Sequence, residues 1–253
     1  RGLLESHWAH GHLNFDKLRK LLGLKAGDNP QCAACDIADS KQRRLRQKHI
    51  PATRPYHRLF MDIGYTQDSD VLFQLYLDDY DDFTYIDIMT SKGQAFDDFV
   101  SLKTHLDNVY APWKLAFIHT DCDTVYLSNN MKQYCRDQGL GHEFSSRYRH
   151  DQNHKIERAM GTIGFPFRAM MIQGNAPKAD IPFALRHANV MRNHAPSTSK
   201  KGWTPADRKA GMKLPLNKRL MAGPLFCLVF VHIYKEERGK NDPRGAAAVY
   251  LGF

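Results

Sequence analysis

The stretch RLFMDIGY, residues 58–65, decides the fold. It reads as a strand in which a single acid, Asp62, interrupts apolar residues. An unpaired carboxylate there would be costly. Two further strand-like runs follow, VLFQLYLDD (71–79) and FTYIDIMT (83–90), joined by the turn-rich DYDD. GQAFDDFVSLKTHLDNVY (93–110) then reads as an amphipathic helix with Phe96, Phe99, Val100, Leu102 and Leu106 inward. WKLAFIHTD (113–121) is a fourth strand, apolar on both faces and so central. A short helix, NNMKQYCRDQG, stops at Gly139; HEFSS is a fifth strand, and NHKIERAM opens another helix. The order βββαβαβα predicts an α/β fold with a mixed sheet, an antiparallel meander followed by parallel strands reached through helices.

Outward from this core, residues 1–40 form a first unit. NFDKLRKLLG places Phe15, Leu18, Leu21 and Leu22 on one helical face, with Asn14 as N-cap and Gly23 as the stop. Residues 41–58 read as a basic linker, since KQRRLRQK contributes Lys41, Arg43, Arg44, Arg46 and Lys48 before Pro51 and Pro55. The core spans 59–175, and a helical extension with IPFALRHANVMRNHAP covers 176–210. A small β unit, PLFCLVFVHIY and AAAVYLGF, fills 211–253. The chain starts at Arg1 and reads as a piece of something longer.

The formal net charge of +9 over 253 residues favours a polyanionic partner. No apolar run approaches the ~20 residues of a membrane span, and no basic amphipathic helix or lipid anchor is visible, so nucleic acid is preferred to membrane. The five cysteines, with only Cys32 and Cys35 close together, suit a reducing compartment and a metal site better than a disulfide framework.

Two groups of residues carry chemistry. His7, His10 and His12 precede the Cys-x2-Cys pair Cys32 and Cys35, and two histidines with two thiolates make a tetrahedral zinc set. A 40-residue unit has little core of its own, and a structural metal would supply the missing stability. The second group is Asp62, Asp121 and Glu157, three acids that a sheet can gather, with 35 residues between the last two. Hard oxygen ligands select Mg²⁺ or Mn²⁺, and a pair of such ions serves in-line phosphoryl transfer. Around Glu157 stand Arg149, Asn153, Lys155 and Arg158, available to DNA phosphates or a DNA end. The denser acids Asp78, Asp79, Asp81, Asp82 and Asp87 read as turn residues facing water.

In this order along the chain the motifs resemble the integrase of Copia-type LTR retrotransposons, over nearly the whole sequence. HWAHGHLNFDKLRKL resembles the family's His-x4-His segment, which pairs His7 with His12 and leaves His10 spare. CAAC resembles the zinc cysteines. HRLFMDIG, IHTDCDTVYLS and FSSRYRHDQNHKIERAMGTI resemble the segments of the catalytic acids Asp62, Asp121 and Glu157. NHAPSTSKKGWTPAD and the C-terminal stretch resemble the region behind the core, ending in a small β-barrel-like domain.

The resemblance implies an RNase H-like core with a five-stranded mixed sheet, a Zn²⁺ site at His7, His12, Cys32 and Cys35, and Mg²⁺ or Mn²⁺ on the three acids. It implies a DDE-type polynucleotidyl transferase, a fragment of a Gag-Pol polyprotein, whose 3′-OH cDNA ends attack target DNA, with end trimming as an accompanying reaction. It further implies double-stranded DNA and further copies of the chain as partners, and action in the nucleus after assembly in cytoplasmic particles.

Three departures stand out: Cys122-Asp123 replaces the family's Asn-Gly, His154 replaces a Gly, and Gly161, Gly164 and Pro166 fall where a long helix belongs. They motivate an alternative, a catalytically inactive DNA-binding or assembly remnant. A third reading, an RNA–DNA hybrid nuclease of the same core fold, leaves the zinc unit unexplained.

Overall fold

The structure, a computed structural model, describes residues 2–38, 50–66, 71–145, 154–197, 200–215 and 223–252. The chain divides into two compact units, Arg1–His49 and Ile50–Phe253.

The first unit contains α1 (Leu3–Ala9), α2 (Phe15–Leu21) and α3 (Ala33–Ala38). Asn14 caps α2 by accepting the Asp16 amide at 3.0 Å, and Gly23 follows the helix at φ +67. Only part of the expected inward face is covered. Leu18 is fully buried, whereas Leu21 and Leu22 are 62% and 41% exposed. Three helices of six or seven residues enclose little more than one leucine.

The second unit is built on a five-stranded mixed sheet: β1 (Arg58–Tyr65), β2 (Leu72–Asp78), β3 (Thr84–Met89), β4 (Phe117–Thr120) and β5 (Gly141–Phe144), in the order β3-β2-β1-β4-β5. β1, β2 and β3 pair antiparallel; β4 is parallel to β1 and β5 to β4. The helices are α4 (Ala95–Val109), α5 (Asn129–Gln138), α6 (His154–Gln173), α7 (Ile181–His194) and α8 (Pro205–Ala210). The α/β class and the mixed sheet are as the sequence indicates, and α5 ends at Gly139 in the left-handed region, φ +64.

Strand alternation assigns the two faces. Leu59, Met61, Tyr76 and Ile118 face a core shared with Phe99 and Leu106 of α4 and Met131 and Cys135 of α5. Phe60, Phe73, Leu75 and Leu77 face Ile156, Ala159 and Ile163 of α6 and Ile181, Leu185 and Ala188 of α7. Gly64 pairs with Phe73, whose ring would stand 2.2 Å from any Cβ at that position.

Two sequence expectations change here. α6 runs unbroken for 20 residues with Pro166 inside it. Its buried stripe, extended by Phe167, Met170 and Met171 packed against the same cluster, outweighs the local helix-breaking cost. The acidic turn does not face water: Asp78, Asp79 and Asp81 are at most 2% exposed. Asp78 accepts the Tyr56 amide at 2.6 Å and the Tyr80 amide at 2.8 Å. Asp79 accepts the Ala52 amide at 2.9 Å and pairs with Arg58 and Lys155. Buried acids are tolerable when amides and cations satisfy them.

Just before β1, Ala52 and Tyr56 are buried, and the Tyr56 hydroxyl donates to Asp107 at 2.8 Å. At the C-terminal end, among the described residues, the β unit is a two-stranded antiparallel ladder, β6 (Leu228–His232) with β7 (Gly245–Val249), rather than a barrel. Phe230 on β6 is 80% exposed.

Candidate active site

The sheet places the first two acids. β1 and β4 run parallel with Phe60 beside His119, so continuing that register by two residues sets Asp62 level with Asp121, just past the end of β4. By alternation along β1, Asp62 lies on the Phe60 face of the sheet, the face α6 covers, and Asp121 directly follows β4. Glu157 is in the first turn of that helix.

The electrostatics agree with this placement. The Asp62 carboxyl is pushed up to about 7, first by burial and then by the charge of Asp121, with Glu157 and Asp123 adding to it. The Asp123 amide donates to Asp121 Oδ1 at 3.0 Å. Lys92 Nζ holds Asp123 Oδ2 at 2.8 Å. Burial pushes Asp123 up, but the Lys92 ammonium and the Val125 amide outweigh it and hold the carboxyl below its usual value. Glu157 is less committed than the other two acids: its side chain is 42% exposed, with Oε2 3.5 Å from His154 Nδ1. Cys122 ties the end of β4 to β5 by donating its thiol to the Ser145 carbonyl at 3.2 Å.

Neither Lys92 nor Asp123 stands out in the sequence as part of this site. Asp123 has a readable signal, an acid two residues beyond Asp121; Lys92 has none, because only the tertiary fold brings it there.

In the first unit His7, His12, Cys32 and Cys35 converge, with one donor atom from each lying within 4.8 Å of all the others. His7 Nε2 is 3.2 Å from His12 Nδ1 and 3.2 Å from Cys35 Sγ. His12 Nδ1 is 3.5 Å from Cys32 Sγ and 3.4 Å from Cys35 Sγ. A regular tetrahedron around zinc has edges of about 3.3 Å between nitrogens and about 3.5 Å between nitrogen and sulfur, so the donor set fits that ion. His7 Nδ1 donates to the Leu13 carbonyl at 2.9 Å, which turns the lone pair of Nε2 toward the cluster. The Cys32 thiol is lowered to about 6, chiefly by the Cys35 amide, against the opposing effect of burial. His10 points elsewhere, its Nδ1 2.7 Å from the Ser6 carbonyl.

Among the expected DNA contacts, Lys41, Arg43, Arg44, Arg46, Lys48 and Asn153 lie outside the described residues, as does Arg149. Lys155 is engaged within the protein, 2.5 Å from Asp79 and 3.4 Å from Asp82. Arg158 is exposed.

No protein-family model matches the chain. The retrovirus-related Pol polyprotein from transposon TNT 1-94 of Nicotiana tabacum is 24% identical over 184 residues, 72% of this chain. The corresponding polyprotein from transposon RE1 of Arabidopsis thaliana is 20% identical over 226 residues, 88% of this chain. The chain is thus similar in sequence to retrovirus-related Pol polyproteins of plant transposons. The chain spans only 13% and 15% of those two proteins. In fold it is similar to the simian T-cell lymphotropic virus intasome solved with the PP2A regulatory subunit B56 gamma. That likeness has a TM-score of 0.58 at 15% identity and covers 98% of this chain and 87% of that one. The likeness is one of fold, and the second unit's part in it is an α/β fold on a five-stranded mixed sheet.

Proposed function

We propose that this chain is the integrase segment of a Gag-Pol polyprotein and joins the 3′ ends of retrotransposon cDNA to target DNA, with end trimming as an accompanying reaction. The observation that carries the reading is the sheet register that sets Asp62 level with Asp121 beneath α6, the helix that bears Glu157. Relatives that are retrotransposon Pol polyproteins support it.

The three carboxylates would hold Mg²⁺ or Mn²⁺, ions that lower the cost of in-line phosphoryl transfer by activating the attacking oxygen and stabilising the leaving one. The protein's own part is to keep the acids in place and in the right charge state. With its carboxyl raised to about 7, Asp62 is only partly ionised near neutral pH, and a bound cation would favour its charged form. The Asp123 amide fixes one oxygen of Asp121, and Lys92 restrains the Asp123 carboxylate. Glu157, partly exposed at a helix start, has room to turn inward.

In the same reading His7, His12, Cys32 and Cys35 bind Zn²⁺ and hold the first unit together. Residues 41–58 act as a linker whose Lys41, Arg43, Arg44, Arg46 and Lys48 track phosphates, with Asn153 and Arg158 beside the acids. Lys155 instead ties α6 to the acidic turn. Residues 59–175 form the catalytic core, 176–210 its helical extension and 211–253 a small β unit. The working form is a homo-oligomer on double-stranded DNA, acting in the nucleus after assembly in cytoplasmic particles.

The test is joining of element-end DNA to a plasmid in Mg²⁺. Asp121→Asn is expected to cut joining below about one-hundredth while leaving salt-dependent DNA binding in place. Undiminished joining by that variant would rule out the assignment. Wild-type binding with no joining in either Mg²⁺ or Mn²⁺ would mark an inactive remnant.

A further inference from the structure

A cavity of about 500 Å³ opens between α6 and the segment joining α7 to α8. Five cations line it: Lys155 and Arg158 of α6, Arg192 of α7, Lys200, and Arg208 of α8. Its lining contains one carboxylate, Asp82, and the indole of Trp203.

The charges are not all spent within the protein. Lys155 is held by Asp79 and Asp82, and Arg208 by Asp82 and the Tyr80 carbonyl. Arg192 directs Nη1 to the Asp82 carbonyl at 2.8 Å and to Thr84 Oγ1 at 3.1 Å, but its Nε is buried with no hydrogen-bond partner among the described residues. Arg158 and Lys200 have no ion pair among the described residues. A concave site with unspent guanidinium and ammonium groups and one neutralised acid attracts an anion. The volume suits a ligand of nucleotide size, and an indole wall offers a stacking surface for a base.

We propose that this cavity binds the phosphate of one nucleotide, with Arg158 and Lys200 as the free anion-binding groups and Trp203 as the wall for the base. The phosphate belongs either to a nucleic-acid strand or to a free nucleotide. The proposal builds on the reading of Arg158 as a phosphate contact and adds a bounded site with named partners. Arg158 lies on α6 with Glu157, so the helix that carries the third acid would also grip a phosphate.

Binding is measured by calorimetry on the full chain carrying Asp62→Asn, in magnesium-free buffer, so the outcome does not depend on strand transfer. Adenosine 5′-monophosphate, adenosine and a short single-stranded DNA are titrated in turn. Saturable binding of the monophosphate or the strand, with adenosine at least tenfold weaker than the monophosphate or not bound, is expected. Arg158→Ala with Lys200→Ala should weaken it at least tenfold. The charge-matched pair Lys235→Ala with Lys240→Ala should change it less than twofold. Lys200→Ala alone, at an exposed and unpaired position, should still weaken binding severalfold if the double variant folds poorly. Monophosphate binding as tight as the strand's identifies a free nucleotide, and binding of the strand alone identifies a backbone phosphate. No saturable binding of either phosphate ligand, equal loss in the two double variants, or adenosine binding as tightly as its monophosphate would overturn the site.

Discussion

Asp62 is a strand residue whose chemistry is set by its neighbours. Burial and the charges of Asp121, Glu157 and Asp123 raise its carboxyl to about 7, so the folded protein takes up a proton that the unfolded chain releases near pH 4. The sign follows from linkage. A raised carboxyl favours the fold at low pH, and that advantage is lost as pH climbs toward 7. Asp62→Asn, which cannot ionise, should therefore stabilise the metal-free protein by up to about 4 kcal/mol at pH 8 and by about 1.5 kcal/mol at pH 5. Urea unfolding midpoints at the two pH values check this, and equal gains at both would contradict the shift. The acidic turn teaches the opposite lesson about similar residues. Asp78 and Asp79 are buried but accept backbone amides, and Asp79 also meets cations, so a dense acidic run need not be a solvated one. The sequence shows the acids but not the amides of Ala52 and Tyr56 that receive them, because those lie more than 20 positions away.

Among the elements, α6 has the widest gap between local propensity and observed structure. Gly161, Gly164 and Pro166 argue against a continuous helix, yet it spans His154–Gln173. Its Ile156, Ala159 and Ile163 stripe is buried against Phe60, Leu75 and Leu77, and area removed from water at three positions exceeds one missing hydrogen bond. Pro166→Ala should restore that bond and raise stability by about 1–2 kcal/mol, after allowing for the greater freedom of the unfolded chain. A lower urea midpoint in the variant would show instead that the proline is accommodated by a kink that the packing requires. α2 is the converse case. Asn14 and Gly23 mark its ends in the sequence and in the structure, because caps are local. Which of its leucines is buried was not legible, since that depends on how much surface the other two helices can cover.

For the whole molecule, the two compact units differ in what holds them. The second has two hydrophobic clusters, one on each face of its sheet. The first has one buried leucine and a convergence of two imidazoles and two thiols. If those donors hold zinc, a chelator or Cys32→Ser should unfold the first unit while the sheet unit stays folded. Amide hydrogen exchange reports the two separately: protection should vanish for residues of α1 and α2 and persist for β1 and β2. Retained protection in α1 and α2 after metal removal would show that the unit stands on its apolar contacts alone.

The order of strands and helices along the chain, several helix ends, and the candidate acids and His/Cys residues are legible in this sequence, because alternation, capping and ligand spacing are properties of short segments. RLFMDIGY and WKLAFIHTD declare themselves strands from their own composition. The level placement of Asp62 and Asp121, the Lys92–Asp123 pair, the burial of Asp79 and the cation-lined cavity were decided only by tertiary structure. Each of these depends on the distance in space between residues far apart in the chain, and that distance is set when sheet and helices pack together, not by any stretch read alone.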